Sequence, residues 1–142
     1  MSKGLHILAG SAKGVLLRHP ENPLCRPSSD KVREAVAATL KPFLHEQTRL
    51  LDLCAGSGAM GLELLSLGVG HCCFVDQVTH AIEANVERLG WQARCKIVRM
   101  DVLRFLRQGR SVKFDLILLD PPYAKTDLLQ ASVARLAASQ LL

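Results

Sequence analysis

Leu50-Leu51-Asp52-Leu53-Cys54-Ala55-Gly56-Ser57-Gly58-Ala59-Met60-Gly61 runs from a short apolar segment through a glycine-rich turn into a helix-forming stretch. Gly56, Gly58 and Gly61 make a Gly-x-Gly-x-x-Gly pattern. Glycines at such a turn let the backbone approach a ligand closely and let the helix pack tightly on the strand before it. Many nucleotide-binding folds share this pattern, and its context here, after a strand and at the opening of a helix, is the one it requires.

Outward from this turn the chain alternates between short apolar runs and helical periodicity. Strands are expected over 50–54, 72–76, 95–99 and 114–119, and helices over 59–67, 79–89, 102–108 and 127–138. A repeated βα unit implies a mostly parallel sheet with helices on both faces and ligand sites at the carboxyl ends of the strands. Upstream, residues 5–9 and 15–18 flank a Gly10 to Gly14 turn and predict a small β-hairpin. A proline-rich loop follows, then Ser28-Ser29-Asp30, a helix start. Val32, Ala35, Val36, Thr39 and Leu40 give that helix one buried stripe, and Pro42 ends it. The 142 residues form one expected α/β domain, with 1–49 as hairpin plus helix on the substrate side and 50–142 as the cofactor-binding units.

Composition narrows the class. Hydrophobic residues make up 49% and charged residues 22%, without the ~18-residue apolar run of a membrane span or a leader pattern, so a soluble, cytoplasmic protein is expected. Five cysteines lack Cys-x-x-Cys pairing and nearby histidines at ligand spacing, which points to reduced, core-filling thiols and to no metal site. Net charge is +5, and residues 85–113 carry eight basic groups against Glu87 and Asp101. That excess suits a polyanionic partner; a solvated basic surface is the plain alternative.

The distinctive polar residues fall at the strand ends. Asp76, twenty residues after Gly56, closes the second expected strand and is placed to accept hydrogen bonds from both hydroxyls of a ribose, with Gln77 beside it. Asp101 and Val102 close the third, where Asp101 is an acceptor for an adenine amino group, a helix cap, or both. Asp52 would repel a pyrophosphate but attract a cofactor that carries a sulfonium and an ammonium group, as S-adenosylmethionine does. Ala55, Gly56, Ser57, Gly58 and Gly61 form the loop around it. A dinucleotide oxidoreductase shares the glycines and Asp76 but leaves Asp52 unexplained.

The fourth strand ends in Leu118-Leu119-Asp120-Pro121-Pro122-Tyr123. Two prolines remove two backbone donors and stop strand pairing, leaving a rigid, acceptor-rich loop. A planar exocyclic amino group has two hydrogens to give, which Asp120 and the Pro121 carbonyl can accept while the Tyr123 ring stacks on the base. The simpler reading has Asp120 capping a helix and the prolines ending a strand.

Together these residues resemble the Rossmann-like class I methyltransferases, with 52–61 as motif I and 120–123 as the amino-methylating motif IV. The hairpin, Arg26-Pro27-Ser28-Ser29-Asp30-Lys31-Val32-Arg33-Glu34, Leu51 to Gly58 and Phe74-Val75-Asp76 are similar to the RsmD family of bacterial small-subunit ribosomal RNA guanine-N2 methyltransferases. The resemblance implies S-adenosylmethionine as cofactor, a guanine of 16S ribosomal RNA or of the assembling small subunit as substrate, and Arg26, Lys31 and Arg33 near the active-site mouth; a salt-bridged helix start is the alternative for these three. It also implies a fifth strand and a further hairpin, whereas this sequence stops at Leu142. The expectation is therefore a fourth strand left as an exposed edge unless a partner chain or second copy covers it, and weak or absent turnover by the isolated chain. The rival readings are a DNA or RNA adenine-N6 methyltransferase, which uses the same proline loop, and a non-catalytic RNA-binding module.

Overall fold

The computed structural model describes residues 4–20, 29–108, 112–120, Gln130 and Ala134. Cys25, Arg26, Pro121, Pro122, Tyr123 and most of the expected helix over 127–138 lie outside the described residues. Helix α1 (Asp30–Leu40) precedes a sheet built from β1 (Arg49–Leu53), β2 (His71–Asp76), β3 (Cys95–Arg99) and β4 (Leu116–Leu119). Helices α2 (Ala59–Ser66), α3 (His80–Leu89) and α4 (Val102–Arg107) connect the strands.

All strand pairs are parallel, in the order β3-β2-β1-β4. The order reverses at β1: the chain first steps outward to β2 and β3, then returns through α4 to lay β4 on the other side of β1. Such a switch point opens a crevice at the carboxyl ends of the two strands that flank it.

Strand alternation divides the core in two. Leu50, Cys72 and Phe74 face α2, α3 and the N-terminal segment, where Leu62, Leu64, Leu65, Ile82 and Val86 cover them. Leu51, Leu53, Cys73 and Val75 face the opposite way, against Val102, Phe105, Leu106 and Phe114. Both faces being covered, the central strands read as continuous apolar runs. Buried glycine is required at the sheet–α2 contact: a Cβ on Gly61 would fall 2.5 Å from a ring carbon of Phe74. No helix among the described residues is long and apolar enough to cross a membrane, and Cys54, Cys72, Cys73 and Cys95 are free thiols.

The N-terminal segment forms a hairpin with one bridge, His6 to Leu16, supported by backbone bonds from Ile7 to Val15 and from Leu17 to Leu5. Helix α1 is capped by Ser29, whose hydroxyl accepts from the Val32 N–H at 3.2 Å. Its expected stripe is rotated by one residue. Val32 is 50% exposed, and the inward positions are Arg33, Val36, Ala37 and Leu40. The spacing i, i+3, i+4, i+7 is kept, but an ion pair at Arg33 selects the face.

Candidate active site

Register places the two diagnostic loops side by side. Leu53 of β1 pairs with Leu119 of β4, so Cys54 and Asp120 leave adjacent strands at the same level. On the other side Leu53 pairs with Val75, which brings Asp76 to the same rim. Asp76 in turn pairs with Arg99, the last residue of β3, and its carbonyl accepts from Met100 N–H at 2.9 Å, setting Asp101 next in line.

The glycine loop is fixed from several directions. The Gly56 N–H donates to Asp76 Oδ2 at 2.8 Å, and Ala55 N–H donates to the Val75 carbonyl at 3.2 Å. Ser57 Oγ accepts from Ala59 N–H at 3.1 Å, and Gly58 caps α2 with φ 79°. Cys54 takes φ 59°, a left-handed conformation that costs a non-glycine residue about 1–3 kcal/mol and concentrates at ligand-binding turns. An added Cβ on Gly56 would touch nothing within 4 Å among the described residues.

Four carboxylates define the electrostatics of this rim. Burial and the negative charges of Asp76, Asp52, Asp120 and Asp101 together push the Cys54 thiol up to about 12. Asp52 is only 5% exposed, and burial raises its carboxyl to about 7; the Gly61 N–H favours the charged form, while Asp76 and Asp120 disfavour it further. Its Oδ2 has no hydrogen-bond partner among the described residues. A buried acidic group with one oxygen unpartnered, beside Asp76 and Asp120, fits a cationic ligand and opposes a phosphate.

At the third strand end, Asp101 caps α4 by accepting from Arg104 N–H at 3.1 Å, and its other oxygen accepts from the Gln77 amide at 3.1 Å. Cap and wall are thus combined in one side chain. Val102 is buried behind it, and Gln77 is exposed. Asp76 Oδ1 also accepts from Val78 N–H at 3.2 Å, so both of its oxygens are engaged by backbone, each keeping acceptor capacity for a further donor. Asp120 is exposed at the end of β4. No group of three or more metal-ligating side chains occurs among the described residues.

A parallel sheet in this strand order, flanked by helices, is a class I methyltransferase fold, and similarity to known proteins extends beyond the fold. A family model described as "Conserved hypothetical protein 95", the RsmD family, matches residues 5–142. The chain belongs to the RsmD family. It is 36% identical to YlbH of Bacillus subtilis over 129 residues, covering 87% of this chain and 70% of that protein. It is 29% identical over 124 residues to the Ribosomal RNA small subunit methyltransferase D of Escherichia coli K12, covering 85% of this chain and 61% of that one. Among solved structures, yhhF from Escherichia coli superposes with a TM-score of 0.85 at 27% identity, over 97% of this chain and 74% of that chain.

Within this RsmD-family chain, one expected substrate contact is corrected. Arg33 is fully buried, 0% exposed, and does not reach a mouth: its guanidinium donates to Glu63 Oε1 at 3.2 Å, to Asp30 Oδ1 at 2.9 Å and to the His6 carbonyl at 2.8 Å. The salt-bridged alternative is the observed one, with Glu63 of α2 as partner in addition to Asp30. Lys31 is exposed at the start of α1. Three buried polar residues outside the sequence motifs organise the site from behind: Glu63, Ser66 and Asn85. Glu63 accepts from the Leu8 and Ala9 N–H groups, and Ser66 Oγ accepts from Ala12 N–H and donates to the Ala9 carbonyl. Their signal was available, since each is a polar residue at an otherwise apolar helix position.

Proposed function

We propose that this chain transfers the methyl group of S-adenosylmethionine to the exocyclic N2 of a guanine in small-subunit ribosomal RNA. The observation that carries the reading is the register of Leu53 with Leu119, which sets Asp120 beside the glycine loop, a methyl-donor loop facing an amino-group acceptor across one strand spacing. The chain spans 61% of the Escherichia coli relative and 70% of YlbH, and the relatives' names support the RNA substrate class.

Asp52, the loop 55–58 and Gly61 would hold the amino-acid end of the donor, Asp76 and Gln77 its ribose, and Asp101 and Val102 its adenine. When bound there, S-adenosylmethionine supplies an electrophilic methyl. Asp120 holds the guanine amino group, orients its lone pair, and takes or relays the proton released as the N–C bond forms and the S–C bond breaks. The Pro121 carbonyl would accept the second amino hydrogen, with Pro122 restricting the chain beside it, and Tyr123 would stack on a base presented unpaired or flipped. Lys31 and Arg26 would meet phosphate. Exposed Arg88, Lys96, Arg99, Arg104 and Arg107, which form no ion pair among the described residues, extend the positive field toward the β3 edge.

The test is methyl transfer from labelled donor to an unmodified 16S ribosomal RNA transcript and to small-subunit particles, with the product nucleoside identified after digestion. N2-methylguanosine is the expected product. N6-methyladenosine would transfer the chain to the adenine reading, and salt-sensitive RNA binding with no transfer would leave a binding module.

A further inference from the structure

Asn85 lies on α3, 1% exposed, at a position where the helix otherwise buries Ala81, Ile82 and Val86. Its side-chain amide is fully used. Oδ1 accepts from Arg18 N–H at 2.6 Å, while Nδ2 donates to the Arg18 carbonyl at 3.1 Å and to the Ser57 carbonyl at 2.9 Å. The amide orientation follows from these partners, because a flipped group would set N–H against N–H and oxygen against two carbonyls. One rigid group therefore grips the end of the N-terminal hairpin and the middle of the glycine loop.

The hairpin lies along α2 in a defined direction. Its turn is bound at the far end of that helix, where Ser11 N–H donates to the Ser66 carbonyl and Ala12 N–H to Ser66 Oγ, both at 2.9 Å. Its open end, at Arg18, is joined through Asn85 to Ser57, just before the helix begins. The loop is thus held at Gly56 by Asp76, which belongs to the proposed donor site, and at Ser57 by Asn85, which does not.

We infer that Asn85 is a positioning residue through which the N-terminal hairpin sets the shape of the methyl-donor loop, so that donor affinity depends on how the hairpin is docked. The inference rests on reading residues 55–58 as the donor loop. A merely structural asparagine would affect global stability when changed; a positioning one opens the loop locally while the rest of the sheet stays protected.

Two substitutions separate these roles. Asn85→Asp keeps the acceptor for Arg18 N–H and turns both donors into acceptors facing carbonyls. Arg18→Pro, far in sequence from the loop, removes the N–H that Asn85 Oδ1 accepts together with the Arg18 side chain, and leaves the Arg18 carbonyl as a partner of Nδ2, so the hairpin's hold on Asn85 is loosened at one of its two bonds. Amide hydrogen exchange of residues 55–58, with β3 as internal reference, and titration with S-adenosylhomocysteine are compared across the three proteins. The expected result is loop exchange at least tenfold faster in Asn85→Asp and at least threefold faster in Arg18→Pro, with β3 unchanged and S-adenosylhomocysteine affinity reduced in the same order. Loop exchange within twofold of the parent in Arg18→Pro and in any folded Asn85→Asp would overturn the inference. Failure of the parent itself to bind S-adenosylhomocysteine would strike the proposed donor site instead, and the exchange comparison would still decide the role of Asn85.

Discussion

Arg33 of α1 and Glu63 of α2 meet at 3.2 Å with side chains 0% and 2% exposed, a charge pair shut inside the seam between the N-terminal segment and the glycine-loop helix. Glu63 also accepts the Leu8 and Ala9 N–H groups, so the pair is the centre of a small polar network and the hairpin, α1 and α2 all converge on it.

Removing one partner of a buried pair leaves the other uncompensated. Arg33→Met is expected to destabilise the fold by about 3–5 kcal/mol, whereas Lys31→Ala, two positions away on the exposed face, should stay within about 0.5 kcal/mol. Urea denaturation of the two variants checks the contrast; equal, small effects would show that Arg33 is not sealed in the seam.

Asp52 makes stability fall with pH. Its ordinary carboxyl value of 3.8 rises to about 7 in the fold, so the folded chain keeps a proton that the unfolded chain has already lost. Stability is therefore full below about pH 4 and declines as pH rises to about 7, by an amount on the order of a few kcal/mol. Asp52→Asn should remove that decline, raising Tm at pH 8 with little change at pH 4, while weakening donor binding. Thermal melts at the two pH values, with and without S-adenosylhomocysteine, measure both effects.

Gly61→Ala places a methyl 2.5 Å from Phe74, 3.0 Å from Asp52 Oδ2 and 3.1 Å from Cys72 Sγ. Either the α2–sheet contact separates or the Phe74 ring moves, at a cost of about 1–3 kcal/mol. A lowered midpoint in denaturant, with a shifted Phe74 ring environment by NMR, is the expected outcome; an unchanged midpoint would contradict the close approach.

Asp76 and Asp120 should separate binding from transfer. Asp76→Ala is expected to weaken donor affinity at least tenfold, because it removes both the ribose acceptor and the anchor on Gly56. Asp120→Asn is expected to reduce transfer by about 10²–10⁴-fold, with a much smaller effect on donor affinity. Calorimetry and single-turnover transfer on the same two variants test the division, and a reversal of the pattern would exchange the roles.

Much of the site was readable from residues close in sequence. The glycine loop, Asp76, Asp101 and Asp120 each sit where a short apolar run stops, with Asp52 one residue inside the end of β1, and a parallel sheet brings all such points to one rim. The boundaries needed only small adjustment, as for β4, which is Leu116–Leu119 where 114–119 was expected. Arg33 was misjudged because a cation in the first turn of a helix ordinarily faces water, and its partner Glu63 is thirty residues away, beyond any local pattern. Asn85 stands out as a polar residue on an apolar helix face, but its partners Arg18 and Ser57, 67 and 28 residues away, do not. Periodicity reports which face of an element is apolar; it does not report which polar residue on that face will find a partner.

The hairpin's anchors also fix an order of assembly. Residues 5–18 are made before the groups that complete their hydrogen bonds: Glu63, Ser66 and Asn85 follow 54 to 67 residues later in the sequence. At ordinary elongation rates that is a delay on the order of 3–13 s. Throughout it, Leu5, Ile7 and Leu17, all buried in the finished molecule, lack the α2 and α3 side chains that share their core cluster. The hairpin's anchoring hydrogen bonds therefore wait on segments synthesised after it, and the central βα units must form before the hairpin can close over them.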